Sequence, residues 1–362
     1  MKTPFNYDNI AKENNFFGRK KELIKLREIV KYSNNILIYS KRRMGKTTLV
    51  KKFLGSSDEY LPIYVDIFDI TSKESFAKSL LKSLSNSTKL DLKNAIKKFT
   101  NLFKRVRVEP TINSETLEYS IKPIVATLSF EEMIEDFFAT LTAIAKEKSV
   151  VIAIDEFQQI GTIKDVKIDA ILRTYIQNRE NITFILLGSK RHTLTELFSY
   201  KAPLYELAEH FELQGFEIDE LYDYSKTYLN ISHENIIYIY EQSDGETKLI
   251  LHVLHLLFIR QEEITKSSIN EIIDDIIASK DTSYRMVYDM LNNNQKIALQ
   301  VVANYGNGFY AEEVLSTFNI NKQSLQSAIN ALFNKELIDK SGEIYFIPDR
   351  TFELWIWKLY NK

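Results

Sequence analysis

The residues best suited to chemistry are SKRRMGKTT at 40–48, which join a strand-like run to a helix-like one. Their spacing follows the phosphate-loop pattern G-x-x-x-x-G-K-[ST], with Ser40 at its first position and Gly45, Lys46 and Thr47 at its end. A tight turn there would aim backbone N–H groups at phosphate oxygens, and the following helix would add its positive end. Gly45 permits close approach of the backbone. Lys46 can reach the β- and γ-phosphates of a nucleoside triphosphate, and Thr47 offers a hydroxyl to Mg²⁺. Ser40, Lys41, Arg42, Arg43, Met44 and Thr48 complete the expected nucleotide-binding set. Ser40 is a departure. If the first position needs an unusual backbone angle, serine tolerates it less well than glycine. The competing reading is a basic loop on a solvated surface.

A second segment, VVIAIDE at 150–156, favours the phosphate reading. An apolar strand delivers Asp155 at its carboxyl end, where ligands of parallel sheets bind, beside the loop of the first strand. Asp155 would hold Mg²⁺ through water. Glu156 is the candidate general base, because an adjacent carboxylate can lie nearer the γ-phosphate while Asp155 stays with the metal. Ser189 closes NITFILLGS, another buried run, and could hydrogen-bond the γ-phosphate or the attacking water. Taken singly, Asp155 and Glu156 could be an acidic helix cap and Ser189 a plain turn residue. The expected cofactors are ATP and Mg²⁺.

These residues need a sheet to position them. ILIY at 36–39, LPIYVDIFD at 61–69, SVVIAID at 149–155 and NITFILLGS at 181–189 are continuous apolar runs separated by helical patterns. That order argues for a parallel sheet covered by helices on both faces, an α/β core. Ser129 can cap a long helix over 130–147, and a further helix is expected over about 165–179. Residues 85–125 are less regular, with a Lys-rich amphipathic stretch and then a surface hairpin or irregular arm. From 216 to about 280 the pattern is helical. Beyond it, helices near 285–304, 310–317 and 322–335 precede two short strands around Ser341–Gly342, the order of a winged helix-turn-helix. The expected units are a core over 1–215, a helical lid over 216–284 and a winged helix over 285–362.

Composition sets outer limits. The 362 residues carry 47 Lys plus Arg against 49 Asp plus Glu, so a globally basic nucleic-acid binder is excluded. No cysteine is present, which excludes disulfides, thiolate metal sites and cysteine nucleophiles. MKTPFNYDNIAKENN lacks the apolar run of a signal peptide, no apolar stretch is long enough for a membrane span, and a cytoplasmic location is expected. His252 and His255 share a face of an apolar helix and read as packed rather than ligating.

With FFGRKKEL at 16–23, SKRRMGKTTL at 40–49, VVIAIDEFQ at 150–158, FILLGS at 184–189 and PLY at 203–205, the chain resembles the archaeal-type ATPases of the AAA+ superfamily, relatives of the signal-transducing STAND NTPases. The matching pieces fall in the family's order. IYFIPDRTFELWIW at 344–357 is similar to the family's ending. The resemblance implies a P-loop NTPase fold, an ATPase set of Lys46, Thr47, Asp155 and Glu156, and Ser189 as a sensor. It implies Gly18 and Arg19 near the adenine side. It also marks two absences. The Gly-Arg that often follows PLY is replaced by Glu206 and Leu207, and DGET at 244–247 keeps only Gly245 of a Gly-Gly-x-Pro segment.

Arg173, Arg179 and Arg191 follow the acidic strand and could each serve as an arginine finger or as a salt-bridged surface residue. Arg42 and Arg43 would contact a partner or a neighbouring carboxylate, or one of them the nucleotide. Residues 281–362 hold eight basic and nine acidic side chains, and the expected recognition helix KQSLQSAINALFNK has Lys only at its ends. The winged unit therefore reads as a protein or intramolecular docking element before a DNA reader. The expected function is ATP binding and hydrolysis that couples nucleotide state to domain arrangement and to an unidentified protein partner or self-association. The alternatives are a nucleotide-regulated DNA-binding protein and an ATP- or ADP-holding scaffold with little turnover.

Overall fold

The structure is a computed structural model that describes residues 3–8, 15–87, 107–112, 119–124, 128–177, 179–189 and 191–360, with backbone alone at 107–112, 119–124 and 191–192. The expected basic stretch lies outside the described residues, apart from the backbone of Arg107.

The four apolar runs form β1 (Ile36–Tyr39), β2 (Tyr60–Asp66), β5 (Ser149–Asp155) and β6 (Ile182–Gly188) of one parallel sheet, in the order β2-β5-β6-β1. Successive strand residues point to opposite faces. Leu37, Ile152, Ile154 and Phe184 therefore enter one core, while Ile36, Ile38, Val151 and Ala153 enter the other. Helices α3 (Lys73–Ser87) and α4 (Phe130–Ala145) cover the first face with Phe76, Leu80, Phe137 and Leu141. Helices α1 (Lys20–Lys31) and α2 (Lys46–Leu54) cover the second with Leu26, Ile29, Leu49 and Phe53. Truncating a fully buried strand residue such as Ile152 to Ala would cost about 2–5 kcal/mol.

Strand β6 lies between β5 and β1. One detail of the sheet differs from the sequence reading: a fifth strand, β7 (Glu209–Glu212), pairs with β1 where no strand was expected. Its EHFE sequence is polar because an edge strand has one neighbour and a half-solvated face. The hairpin expected around 107–124 is present as antiparallel β3 (Arg107–Ile112) and β4 (Tyr119–Ile124). Ser129 caps α4 in a reciprocal box with Glu132.

After α5 (Ile168–Gln177), α6 (Arg191–Leu197) and β7 come four helices, α7 (Ile218–Ser225), α8 (His233–Gln242), α9 (Thr247–Arg260) and α10 (Lys266–Ser279). The winged unit follows as α11 (Asp281–Asp289), α12 (Asn293–Tyr305), α13 (Glu312–Thr317), α14 (Lys322–Asn334), β8 (Asp339–Ser341), β9 (Ile344–Phe346) and α15 (Arg350–Tyr360). The single helix expected over 285–304 is two, because Asn292 opens a new one by accepting from the Gln295 N–H while the Gln295 side chain bonds back. Helical and winged units share one continuous core, which includes Val253, Ile276, Leu299, Phe352 and Trp355. Phe5 joins that core, edge-on to Tyr224 and Tyr228. Among the described residues no helix is long and apolar enough to cross a membrane.

Candidate functional site

The carboxyl ends of β1, β5 and β6 lie at one rim of the sheet and carry Ser40, Asp155 and Ser189. Between β1 and α2 the loop bends through two left-handed residues, Arg43 at φ 65° and Gly45 at φ 90°. Ser40 is not among the positive-φ residues, so the first position imposes no glycine-like angle, contrary to the conditional expectation. Its hydroxyl instead serves Lys46.

Lys46 opens α2, is only 6% exposed, and donates to Ser40 Oγ at 2.8 Å, Lys41 O at 3.0 Å and Ser40 O at 3.3 Å. Among the described residues no carboxylate forms an ion pair with it. Burial lowers its pKa to about 8, against the opposing pull of Glu156 and Asp155. A buried cation held by neutral oxygens at a helix N-terminus suits a polyanion, which would replace those oxygens and favour the charged form.

Thr47 donates its hydroxyl to Asp155 Oδ2 at 2.6 Å, and Tyr64 of β2 donates to the same oxygen at 2.6 Å. Tyr64 stands on the strand paired with β5, and burial followed by the Asp155 charge pushes its phenol well above the usual range. The hydroxyl–carboxylate pair fits Mg²⁺, a hard cation that takes oxygen ligands and keeps several waters. Glu156 follows in a left-handed conformation, φ 56°. Its Oε2 accepts from Ser189 Oγ at 3.3 Å and, in a short contact, from Gln158 Nε2. Gln158 is 1% exposed and has room because Gly188 lacks a side chain; a Cβ there would sit 2.5 Å from Gln158 Oε1.

A cavity of about 460 Å³ brings together Arg19, Arg42, Arg43, Met44, Gly45, Lys46, Thr47, Thr48, Glu156 and Ser189. Phe17, Phe216 and Leu251 form apolar wall at its other end, with Phe17 stacked 4.7 Å from Phe216. Gly18, Ser40, Lys41 and Asp155 do not line it. At Gly18, φ 64°, an added Cβ would stand 3.0 Å from Glu220 Oε2 of α7, so the glycine lets core and helical unit approach. Arg19 donates to Met44 O at 3.0 Å, Gln214 O at 2.7 Å and Gly215 O at 3.1 Å, tying the loop to the start of the helical unit.

The loop's three cations reach the other units. Lys41 pairs with Asp244 at 2.5 Å, Arg42 with Glu336 at 2.9 Å, and Arg43 with Asp349 at 2.7 Å and Glu246 at 3.8 Å. Thr247 also donates to Met44 O at 3.1 Å. DGET at 244–247 thus docks on the phosphate loop, although the sequence marked it only as a departure. Burial raises Glu246 to about 7, partly offset by Arg43. Arg173 donates to Pro203 O, and Arg179 to Ile176 O and Ile182 O, so neither side chain enters the cavity. The side chain of Arg191 lies outside the described residues. His252 stacks on Tyr7, 3.9 Å between centroids. Sequence reasoning missed Tyr64, Gln158, Glu246, Glu336 and Asp349. Only Tyr64 and Gln158 had a signal, one on a predicted strand and the other two residues past Glu156.

The family model described as "ATPase domain predominantly from Archaea" matches residues 16–253, and one described as "probable winged helix domain" matches 282–358. An uncharacterized ATP-binding protein of Methanocaldococcus jannaschii is 22% identical over 321 residues, 83% of this chain and 85% of its own. The Walker-type ATPase of Pyrococcus abyssi superposes with TM-score 0.66 at 18% identity, covering 98% of this chain and 99% of that one. The ORC2 protein of Aeropyrum pernix superposes with TM-score 0.57 at 13% identity, covering 99% and 98%. At these identities the structures share the fold. The family match spans the loop, the acidic strand and the Ser189 rim, and the chain belongs to the ATPase domain family found predominantly in Archaea.

Proposed function

We propose that the chain binds ATP with Mg²⁺, hydrolyses it, and uses nucleotide state to set how the helical and winged units sit on the core, with divisions near residues 215 and 284. The observation that carries this reading is the buried Lys46 ammonium, held by neutral oxygens at the N-terminus of α2 beside the Thr47–Asp155 pair. The relative named as an ATP-binding protein supports it.

Lys46 would draw the β- and γ-phosphates into the turn, and the loop N–H groups would take their remaining oxygens. Thr47 and Asp155 would hold Mg²⁺, which supplies charge neutralisation on the phosphates when bound. Glu156 would accept a proton from a water whose oxygen attacks the γ-phosphorus, the bond to the β–γ bridging oxygen breaking as ADP leaves with it. Ser189 and Gln158 would fix the Glu156 carboxylate for that task. Calorimetry of ATP·Mg²⁺ binding to wild type and to Lys46→Ala tests the reading. A folded Lys46→Ala protein with wild-type affinity would contradict it.

The winged unit's proposed role is intramolecular docking. Its net charge over 281–362 is −1, eight basic against nine acidic side chains. Glu336 and Asp349 pair with the phosphate loop, and the wing strand β8 lies against α6 of the core. The full chain should bind duplex DNA weakly at physiological salt. A tight, sequence-dependent complex in a fluorescence titration would favour the DNA-binding alternative.

A further inference from the structure

We propose that Arg42 is the γ-phosphate contact of this site, exchanging its ion pair with Glu336 of the winged unit for the terminal phosphate of ATP. The inference rests on the nucleotide site proposed above.

Three arginines line the nucleotide cavity, and they are held very differently. Arg19 is 5% exposed and committed to three backbone carbonyls. Arg43 lies against two carboxylates, Asp349 and Glu246, the second nearly fully buried. Among the described residues Arg42 carries one ion pair, to Glu336 at 2.9 Å, with side chains 48% and 45% exposed. A pair this solvated is weak and exchanges readily. A terminal phosphate offers more charge and a bidentate geometry that a guanidinium matches well.

Position supports the exchange. Arg42 lies three residues before Gly45 and lines the nucleotide cavity, which it shares with Glu156 and Ser189. It also lines two smaller cavities against the winged unit, both bounded by Glu336. One of these, of about 210 Å³, includes Ser189 of the nucleotide rim. Arg42 therefore stands at the opening between the catalytic carboxylate and the winged helix. Arg42 and Lys46 both line the nucleotide cavity, so a triphosphate held there would lie between two cations.

The exchange has a mechanical consequence. Glu336 sits just past α14 in a left-handed conformation, φ 60°. When Arg42 turns to phosphate, the end of the recognition helix loses a contact to the core. ADP, lacking the terminal phosphate, leaves the pair in place. The winged unit then reports whether the γ-phosphate is present.

The test compares ATP·Mg²⁺ and ADP·Mg²⁺ binding in the full chain for wild type, Arg42→Ala, Glu336→Gln and Lys46→Ala, with hydrogen exchange over 334–341. Arg42→Ala should lose ATP affinity about tenfold and keep ADP affinity, and single-turnover hydrolysis should fall by about 10³-fold or more. Glu336→Gln should bind ATP more tightly and ADP as before. ATP should raise exchange at 334–341 in wild type but not in Arg42→Ala. Both positions are half exposed, so the variants should melt like wild type. If Lys46→Ala abolishes ATP binding while Arg42→Ala treats ATP and ADP as wild type does, the Arg42 assignment fails and the site stands. If Lys46→Ala binds ATP normally, the site itself fails and takes the assignment with it.

Discussion

Ser40 accepts a hydrogen bond from Lys46 at 2.8 Å, so the residue that replaces the loop's usual first glycine is a direct partner of the loop's lysine. The hydroxyl satisfies a cation that burial has stripped of water, and a phosphate would take over that duty. Ser40→Ala should therefore destabilise the nucleotide-free protein by about 1.5–3 kcal/mol, the scale of a hydrogen bond to a charged group. ATP affinity should stay within about threefold, less than 1 kcal/mol, because the bound state no longer needs the hydroxyl. Denaturant titration and calorimetry read the two quantities. A large loss of ATP affinity would assign the hydroxyl to the nucleotide instead.

Lys46 also gives the site a pH dependence. Its folded pKa is about 8, below the ordinary 10.5 it regains on unfolding. Between those values the unfolded chain holds the extra proton, so the stability of the nucleotide-free protein should rise with pH across that window. ATP binds the protonated form, so its affinity should fall as pH climbs above 8, by up to about tenfold per pH unit. Titrations at pH 7 to 9.5 test this, with Lys46→Ala as the control that should lose both slopes. A flat wild-type profile would mean that Lys46 keeps its proton throughout.

The junction of loop, helical unit and winged unit turns on Arg43. Removing its guanidinium leaves Asp349 and the buried Glu246 facing each other with Lys280 as the remaining cation felt by both. Arg43→Ala should cost about 2 kcal/mol, less than the 3–5 kcal/mol of a fully buried pair because Arg43 is 34% exposed. Glu246→Gln differs. The folded carboxyl titrates near 7, above its unfolded value of 4.5, so the folded state holds the extra proton between them. Wild-type stability should decline as pH rises through that window and level off above 7. The glutamine variant should lack this decline while still accepting from the Arg350 N–H, seen at 3.3 Å. Thermal melts from pH 5 to 8 separate the two variants. Equal losses at every pH would make the site a packing contact only.

Much of this was legible in the sequence, and the remainder was hidden for definite reasons. ILIY, SVVIAID and NITFILLGS are buried on both faces, so their apolar content survives without alternation. Gly45, Lys46 and Thr47 are adjacent in sequence, so the loop could be read locally. β7 could not, since an exposed edge strand has little apolar signature. The Arg42–Glu336 pair spans 294 positions, and no local pattern links such residues. The same holds for Arg43 and Asp349. Their meaning depends on the winged unit folding back over the loop, which only the tertiary structure supplies.

Glu156 is the last element to test, because two donors converge on its carboxylate. Gln158 and Ser189 both donate to Oε2, and the left-handed backbone at φ 56° aims it toward the rim where Lys46 lies. Glu156→Gln removes the proton acceptor but keeps the size and much of the polarity. ATP should bind with near wild-type affinity, and hydrolysis should slow by about 10²–10⁴-fold, the range for losing a general base. Ser189→Ala leaves the carboxylate in place with one donor fewer, so its loss should be smaller, about tenfold, and should also spare binding. Gln158→Leu should fall between, since it removes the closer donor from a buried position. Phosphate release measured beside ATP affinity orders the three variants. Turnover unchanged in Glu156→Gln would remove it as the base. A loss of ATP affinity matching that of Lys46→Ala would assign Glu156 to binding or folding.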